Sequence, residues 1–266
     1  MIYSNDQIFV IIKTMQEKIE QLLKEHVGNY KIENSTKTSW LPPIIGFANA
    51  QDQLFVKLKS VVSKDHKLPR ELVEKAETVI SYFIPFEKEV VSSNVGKECS
   101  EQWAVAYIET NMLIRHINED LCNFLQNERT SSINVPATHN FDEKRLISDW
   151  SHRHVAYIAG LGNFGLNKML ITEKGCCGRF GSVITTAIIN ATERPEKEYC
   201  LYFHDKSCQK CLDKCTWGAL KISSFDRHEC YAVCLENLKK FQALGVADVC
   251  GKCMSMVPCS FRNPIK

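Results

Sequence analysis

Cys200-x7-Cys208-x2-Cys211-x3-Cys215, then Cys230-x3-Cys234, then Cys250-x2-Cys253-x5-Cys259: nine of the thirteen cysteines in this 266-residue chain lie between residues 200 and 259. The C-x2-C-x3-C core of the first run is the spacing by which ferredoxin-like segments wrap a cubic iron-sulfur cluster, the last cysteine of a run passing to the neighbouring cluster. A Cys-x2-Cys turn brings two thiolates together while backbone N–H groups point at the sulfurs. With that cross-over, Cys200, Cys208 and Cys211 share one 4Fe-4S cluster with Cys259, and Cys230, Cys250 and Cys253 share a second with Cys215. Cys234 is then spare, or displaces Cys230, because an x3 spacing on a helix lets either thiol face inward. Thr216 stands where proline is usual, and the long Cys253-to-Cys259 gap marks an atypical ferredoxin. The competing reading is a zinc-stabilised binding module, but a four-cysteine zinc site leaves about half of these cysteines without a role.

The rest of the chain surrounds that metal-binding segment with an ordinary globular composition, 44% hydrophobic and 24% charged. A net charge of +2, with no lysine- or arginine-rich block, gives nothing that advertises nucleic acid. No apolar run approaches the roughly 20 residues that span a bilayer. Met1 to Asp6 lacks the basic start and apolar core of a secretory leader. The expectation is a cytoplasmic protein, in a compartment where clustered thiols mean metal or catalysis rather than disulfides.

Upstream, Ile8, Ile11, Ile12, Met15, Ile19, Leu22 and Leu23 recur at helical spacing from Asp6 to Val27, with Gly28 placed to end the helix. Pro42 to Phe47 predicts a short strand, Leu54 to Val62 a helix, Pro69 to Ala76 another, and Thr78 to Ile84 a buried strand closed by Pro85. Glu101 to Asn127 predicts a long helix, followed by a strand at Ile133 to Pro136. Asp142 is placed to cap a helix from Glu143 to Ala159. Lys168 to Thr172 and Gly181 to Ile189 predict two strands joined by the turn Glu173 to Arg179. The implied architecture is a layered α/β (α+β) domain over residues 1–194 and a small cysteine domain over 195–266, divided at the charged, proline-broken stretch Thr192 to Glu198.

Two further segments carry chemistry. Gly160-x-Gly162-x-x-Gly165 matches the dinucleotide fingerprint in letters, but a helix precedes it and a strand follows, the reverse of a Rossmann turn. The glycines are read as a tight turn where backbone approaches a ligand or another domain. Just before it, Asp149-Trp150-Ser151-His152-Arg153-His154 gathers candidate proton donors, Asp149, His152 and His154, that a reductase needs beside its electron source. On a helix the two histidines point in different directions, so at most one faces a given pocket. Arg179 is a candidate anion contact, and the adjacent Cys176 and Cys177 are read as incidental.

The stretch Ala159-Gly160-Leu161-Gly162-Asn163-Phe164-Gly165-Leu166-Asn167-Lys168-Met169-Leu170-Ile171-Thr172, followed by the paired cysteine runs, resembles the epoxyqueuosine reductase and reductive dehalogenase superfamily. The resemblance implies a nitroreductase-like domain that binds a corrinoid (cobalamin), and a ferredoxin-like domain whose two 4Fe-4S clusters feed it electrons. Trp150, Gly160, Gly162 and Gly165 would line the corrinoid pocket. The family's aspartate proton donor, about fifteen residues before the glycine turn, has no counterpart here, because Leu146 holds that place with Asp142 and Asp149 only as neighbours. The chain also stops seven residues after Cys259, without the helical-repeat extension of many relatives, and shows no twin-arginine signal. The function implied is an oxidoreductase fed by an electron-donor protein, reducing a small molecule rather than acting on tRNA, through a corrinoid or alternatively a flavin. An electron carrier or accessory protein without a further cofactor is the other reading.

Overall fold

A computed structural model describes residues 5–136 and 141–265, with side chains from residue 15 onward. In chain order the elements are α1 (Asn5–Asn34), β1 (Ile44–Asn49), α2 (Gln53–Val61), α3 (Pro69–Leu72), β2 (Thr78–Pro85), α4 (Lys88–Ser93), α5 (Glu101–Asn127), β3 (Ser132–Asn134), α6 (His152–Ile158), β4 (Gly162–Phe164), β5 (Leu170–Thr172), β6 (Gly178–Thr185), α7 (Leu201–Asp205), α8 (Lys210–Lys214) and α9 (Arg227–Lys240). A four-stranded antiparallel sheet in the order β1-β2-β6-β3 forms the centre, and β4 pairs with β5 in a separate hairpin.

Every residue of β2 is buried, because helices cover both faces of the sheet. Strand alternation sends Ile80, Tyr82 and Ile84 into the core shared with α1 and α5, and Val79 and Phe83 to the opposite side, against α2, α6 and the β4–β5 hairpin. The buried Tyr82 hydroxyl keeps its hydrogen bond by donating to Asn118 Oδ1 at 2.7 Å, across the sheet–helix interface. α5 forms over the predicted span. Ser100 accepts the Trp103 N–H at 3.1 Å as its N-cap, and Leu113, Ile117, Leu121 and Leu125 bury one stripe along it.

Several boundaries differ from the sequence reading. α1 continues through Gly28 to Asn34, because Val27 and Tyr30 are buried in the same core as α5 and that packing outweighs the glycine. The side chains of Ile8, Ile11 and Ile12 lie outside the described residues. α3 stops at Leu72. The helix expected from Glu143 shortens to α6: Asp142 does cap, accepting the Lys144 and Arg145 N–H groups, but Leu146 at φ +52° turns the chain out of the helix. β5 and β6 do not pair with each other, since β6 is taken by β2 and β3.

The cysteine segment is not separately cored. Tyr199, Cys200, Cys211, Leu220, Phe241 and Met254 belong to the same apolar cluster as Ile80, Ile117 and Leu121. No helix among the described residues is long and apolar enough to cross a membrane.

Candidate metal centres and the recess beside them

α7, α8, α9 and the last turn gather the cysteines. Cys200, Cys208, Cys211 and Cys259 face one small apolar pocket, lined also by Leu201, Val257 and Pro264 and, from the first domain, by Gly165 and Ile171. Within it, loss of hydration pushes the Cys211 thiol up to about 12, with the charges of Cys259, Cys200 and Cys208 adding. Cys253 feels burial first and then Cys230, Cys250, Cys215 and Cys211, while Cys250 feels Cys230 and Cys215, so the thiols of the three runs lie near one another. Among the described residues, no group of three or more Cys, His, Asp or Glu side chains could hold a single metal ion.

Cys230 and Cys234 are free thiols on successive turns of α9. With the Cys234 thiol donating to it and the Arg153 charge nearby, Cys230 is lowered against the cost of burial, while Cys234 is raised. Both feel Cys250, and Cys230 also acts on Cys253.

The last cysteine run is clamped to the first domain. Lys252, inside the Cys250-x2-Cys253 turn, is 4% exposed and donates to Asn94 Oδ1 at 2.9 Å, to Asn94 O at 3.2 Å and to Glu98 O. Asn94 returns a hydrogen bond to Cys250 O at 2.9 Å. Gly251, at φ +71°, lies under the Trp103 ring of α5, and a Cβ there would come within 2.2 Å of it. Cys176 and Cys177, read from sequence as incidental, are part of this clamp. Their N–H groups donate to Cys259 O at 2.9 Å and Ser260 O at 3.3 Å, and the Cys176 and Cys259 sulfurs are 3.9 Å apart.

The glycine turn joins α6 to β4, in the helix-then-strand order expected. Its close approaches are to the chain itself. A Cβ on Gly162 would stand 1.9 Å from Ile171 O, and one on Gly160, at φ +77°, 2.6 Å from Glu193 O. Gly165 alone of the three borders the space between the cysteines.

Trp150 is buried, stacked between Phe55 at 6.2 Å and His66 at 5.6 Å. It anchors a chain of hydrogen bonds: Trp150 Nε1 donates to Ser182 Oγ at 3.0 Å, Ser182 Oγ meets His152 Nδ1 at 2.9 Å, and His152 Nε2 donates to Pro136 O at 3.0 Å. With its lowered pKa, His152 is a neutral imidazole at pH 7, protonated on Nε2 and accepting from Ser182. Loss of hydration holds its pKa at about 4, the Pro136 carbonyl opposing and Arg179 adding. Desolvation likewise holds His154 at about 4, where Nδ1 meets Ser151 Oγ at 2.7 Å and the ring packs on Phe164. Asp149 accepts the Lys67 N–H on its backbone carbonyl, and its charge acts on His66. These side chains brace the α6 entry around Trp150.

Arg153 stands within electrostatic reach of Arg179 and of the Cys253 and Cys230 thiols. Arg153 is solvent-accessible yet crowded by protein; its pKa is lowered by that crowding, the Cys253 and Cys230 thiols opposing and Arg179 adding. Its guanidinium donates to Lys168 O at 2.9 Å. Arg179 lies 4.2 Å over the Tyr107 ring, whose hydroxyl reaches Asp248 at 2.7 Å in the cysteine segment. Arg179 Nε and, one turn along α5 from Tyr107, Asn111 Oδ1 are buried without a hydrogen-bond partner among the described residues. Sequence reading named Arg179 but missed Arg153, Asn111 and Lys252. Lys252 had a visible signal, a cation inside a Cys-x2-Cys turn, whereas Asn111 had none.

No protein-family model matches the chain, and no curated protein matches it in sequence. Solved structures do. An epoxyqueuosine reductase bound to an epoxyqueuosine-modified tRNA stem loop superposes with a TM-score of 0.53 at 19% identity, and the enzyme from Bacillus subtilis with 0.53 at 18%. Both matches cover 91% of this chain but 66% of the other. A reductive dehalogenase, described as suggesting a mechanism for B12-dependent dehalogenation, superposes with 0.57 at 17% identity over 84% of this chain and 30% of its own. The chain thus spans less than two thirds of the epoxyqueuosine reductases' length and under a third of the dehalogenase's. At such identities the likeness is one of fold, and this chain carries the mixed α/β fold of the epoxyqueuosine reductases and reductive dehalogenases.

Proposed function

We propose that the chain is an iron-sulfur oxidoreductase in which residues 195–266 hold two 4Fe-4S clusters and residues 1–194 hold the group they serve. Cys200, Cys208, Cys211 and Cys259 would ligate one cluster, and Cys215, Cys230, Cys250 and Cys253 the other, leaving Cys234 to donate to Cys230. The observation that supports this reading is the convergence of Cys200, Cys208 and Cys211 with Cys259, from a separate run, on one pocket, with further thiols of the other runs close by. When bound, the clusters would supply electrons one at a time to a corrinoid, or alternatively a flavin, held by residues 1–194.

The chain's own contribution there is polar recognition. Arg179 Nε and Asn111 Oδ1 lack partners, and a buried polar atom without one costs about 1–3 kcal/mol, so a bound group offering a donor and an acceptor would recover it. Two guanidiniums, Arg153 and Arg179, favour an anionic or strongly polar substituent, and the Trp150–Ser182–His152 chain fixes the wall behind them. The near-neutral net charge supports a small-molecule substrate rather than tRNA, and the clustered free cysteines support a reduced-thiol compartment, the cytoplasm.

Anaerobic purification tests this. Iron and acid-labile sulfide near eight each per chain, with broad absorbance that bleaches on dithionite, are expected for two 4Fe-4S clusters. About four of each would overturn the two-cluster assignment, and zinc without sulfide would overturn iron-sulfur altogether. Extracted cobalamin or flavin would identify the served group, and neither would leave an electron carrier.

A further inference from the structure

The segment between Cys215 and Cys230 is turned outward. From Thr216 to Glu229 only Ala219 and Leu220 are buried, while Trp217 is 47%, Ile222 49% and Phe225 40% exposed. Three large apolar side chains left in water within one short loop are unusual for a surface with no binding role. The loop is held rather than loose. Lys221 N–H donates to Ser224 O at 2.9 Å beside the Leu220–Phe225 bridge, and Lys97 stands 5.8 Å from the Trp217 ring.

With the turn that precedes α6, this segment lines a groove of about 1450 Å³. Its charged residues are Lys144, Arg145, Lys221 and Arg227 against Asp226 and Glu229. Arg145 is paired with Asp65 at 2.7 Å, and Asp226 is occupied as the N-cap of α9, bound to the His228 and Glu229 N–H groups. The groove lining thus carries four basic side chains, Lys144, Arg145, Lys221 and Arg227, against two acidic ones, Asp226 and Glu229. That is a local cationic excess on a chain whose 33 basic and 31 acidic residues nearly cancel.

We propose that this groove is the docking face for an acidic one-electron carrier protein. This inference rests on the iron-sulfur reading, since Cys215 and Cys230, which bound the segment, are ligands of one cluster in it. The groove wall and the cluster support are the same loop, because Leu220 N–H donates to Cys215 Sγ at 3.4 Å. A small apolar centre with a charged rim suits a transient redox encounter, in which charge steers approach and little area is buried. The step is a single electron transfer. The carrier is oxidised by one electron, the cluster is reduced by one, and no bond is made or broken. Basic grooves with aromatic side chains also suit single-stranded nucleic acid, but carboxylates at Asp226 and Glu229 disfavour phosphates.

The test uses the full chain purified anaerobically, with an oxidised acidic 2Fe-2S ferredoxin as binding probe and the same ferredoxin, reduced, for stopped-flow kinetics. The double variant K221E/R227E should weaken ferredoxin binding by about tenfold and flatten its salt dependence. Iron content and dithionite bleaching should match the wild type. Trp217→Ala should weaken binding while leaving the salt slope unchanged. Unchanged ferredoxin affinity and reduction rate in both variants, with clusters present, would overturn the docking proposal alone. Loss of binding to a labelled tRNA stem loop in the double variant, with ferredoxin binding intact, would overturn it in favour of nucleic acid. Wild-type chain that lacks iron and sulfide yet binds ferredoxin through these residues would uphold the docking face and sink the iron-sulfur reading instead.

Discussion

His152 and His154 lie two residues apart, and each is held neutral by its own surroundings. His152 is locked between Ser182 and Pro136, and His154 sits against Ser151 and Phe164. Both have pKa values lowered from 6.5 to about 4, chiefly by lost hydration. Between those values the unfolded chain takes up protons that the folded chain refuses, so stability is full above about pH 6.5 and falls as pH is lowered towards 4. Urea midpoints measured at pH 7, 6 and 5 should fall in that order, and the slope should be shallower in His152→Asn. A midpoint as high at pH 5 as at pH 7 would show these imidazoles free to ionise in the fold. The same neutrality makes either histidine a poor proton donor at neutral pH, whatever reaction the chain supports.

At the scale of elements, the clamp between α5 and the Cys250–Cys253 turn depends on a missing side chain. Gly251 combines a left-handed backbone with a Trp103 ring 2.2 Å from where a Cβ would stand, so Gly251→Ala must displace either the indole or the turn that carries two cysteines. We expect this variant to unfold at lower temperature and to retain less iron. Gly28→Ala, inside α1 with no neighbour within 4 Å of the new methyl, should be neutral or stabilising by up to about 1 kcal/mol. Equal melting temperatures for Gly251→Ala and wild type would show that the turn can shift without releasing the clamp.

For the whole molecule, the decisive feature is that the apolar core runs without a break from α1 and α5 into the cysteine segment. Removing metal should therefore loosen both parts at once. Anaerobic chelation is expected to lower the melting temperature while keeping a single calorimetric transition. Two separated transitions would mean that residues 1–194 and 195–266 fold independently.

The sequence alone determined which residues are chemical and which segments are regular. Cysteine spacing is a local property, so the runs Cys208-x2-Cys211-x3-Cys215 and Cys250-x2-Cys253 were legible before any fold was known. The periodicity of α5 and the all-apolar run of β2 were legible for the same reason. Contacts between distant segments were not. The strand order β1-β2-β6-β3, the place of Cys176 and Cys177 against Cys259, and the burial of Trp150 all depend on which surfaces meet, and no spacing encodes that. Gly28 shows the converse, a strong local stop signal overridden because Val27 and Tyr30 gain more from the core than the glycine costs. Tertiary structure also decided that Arg153 of α6 comes near Arg179 of β6 and the Cys230 and Cys253 thiols.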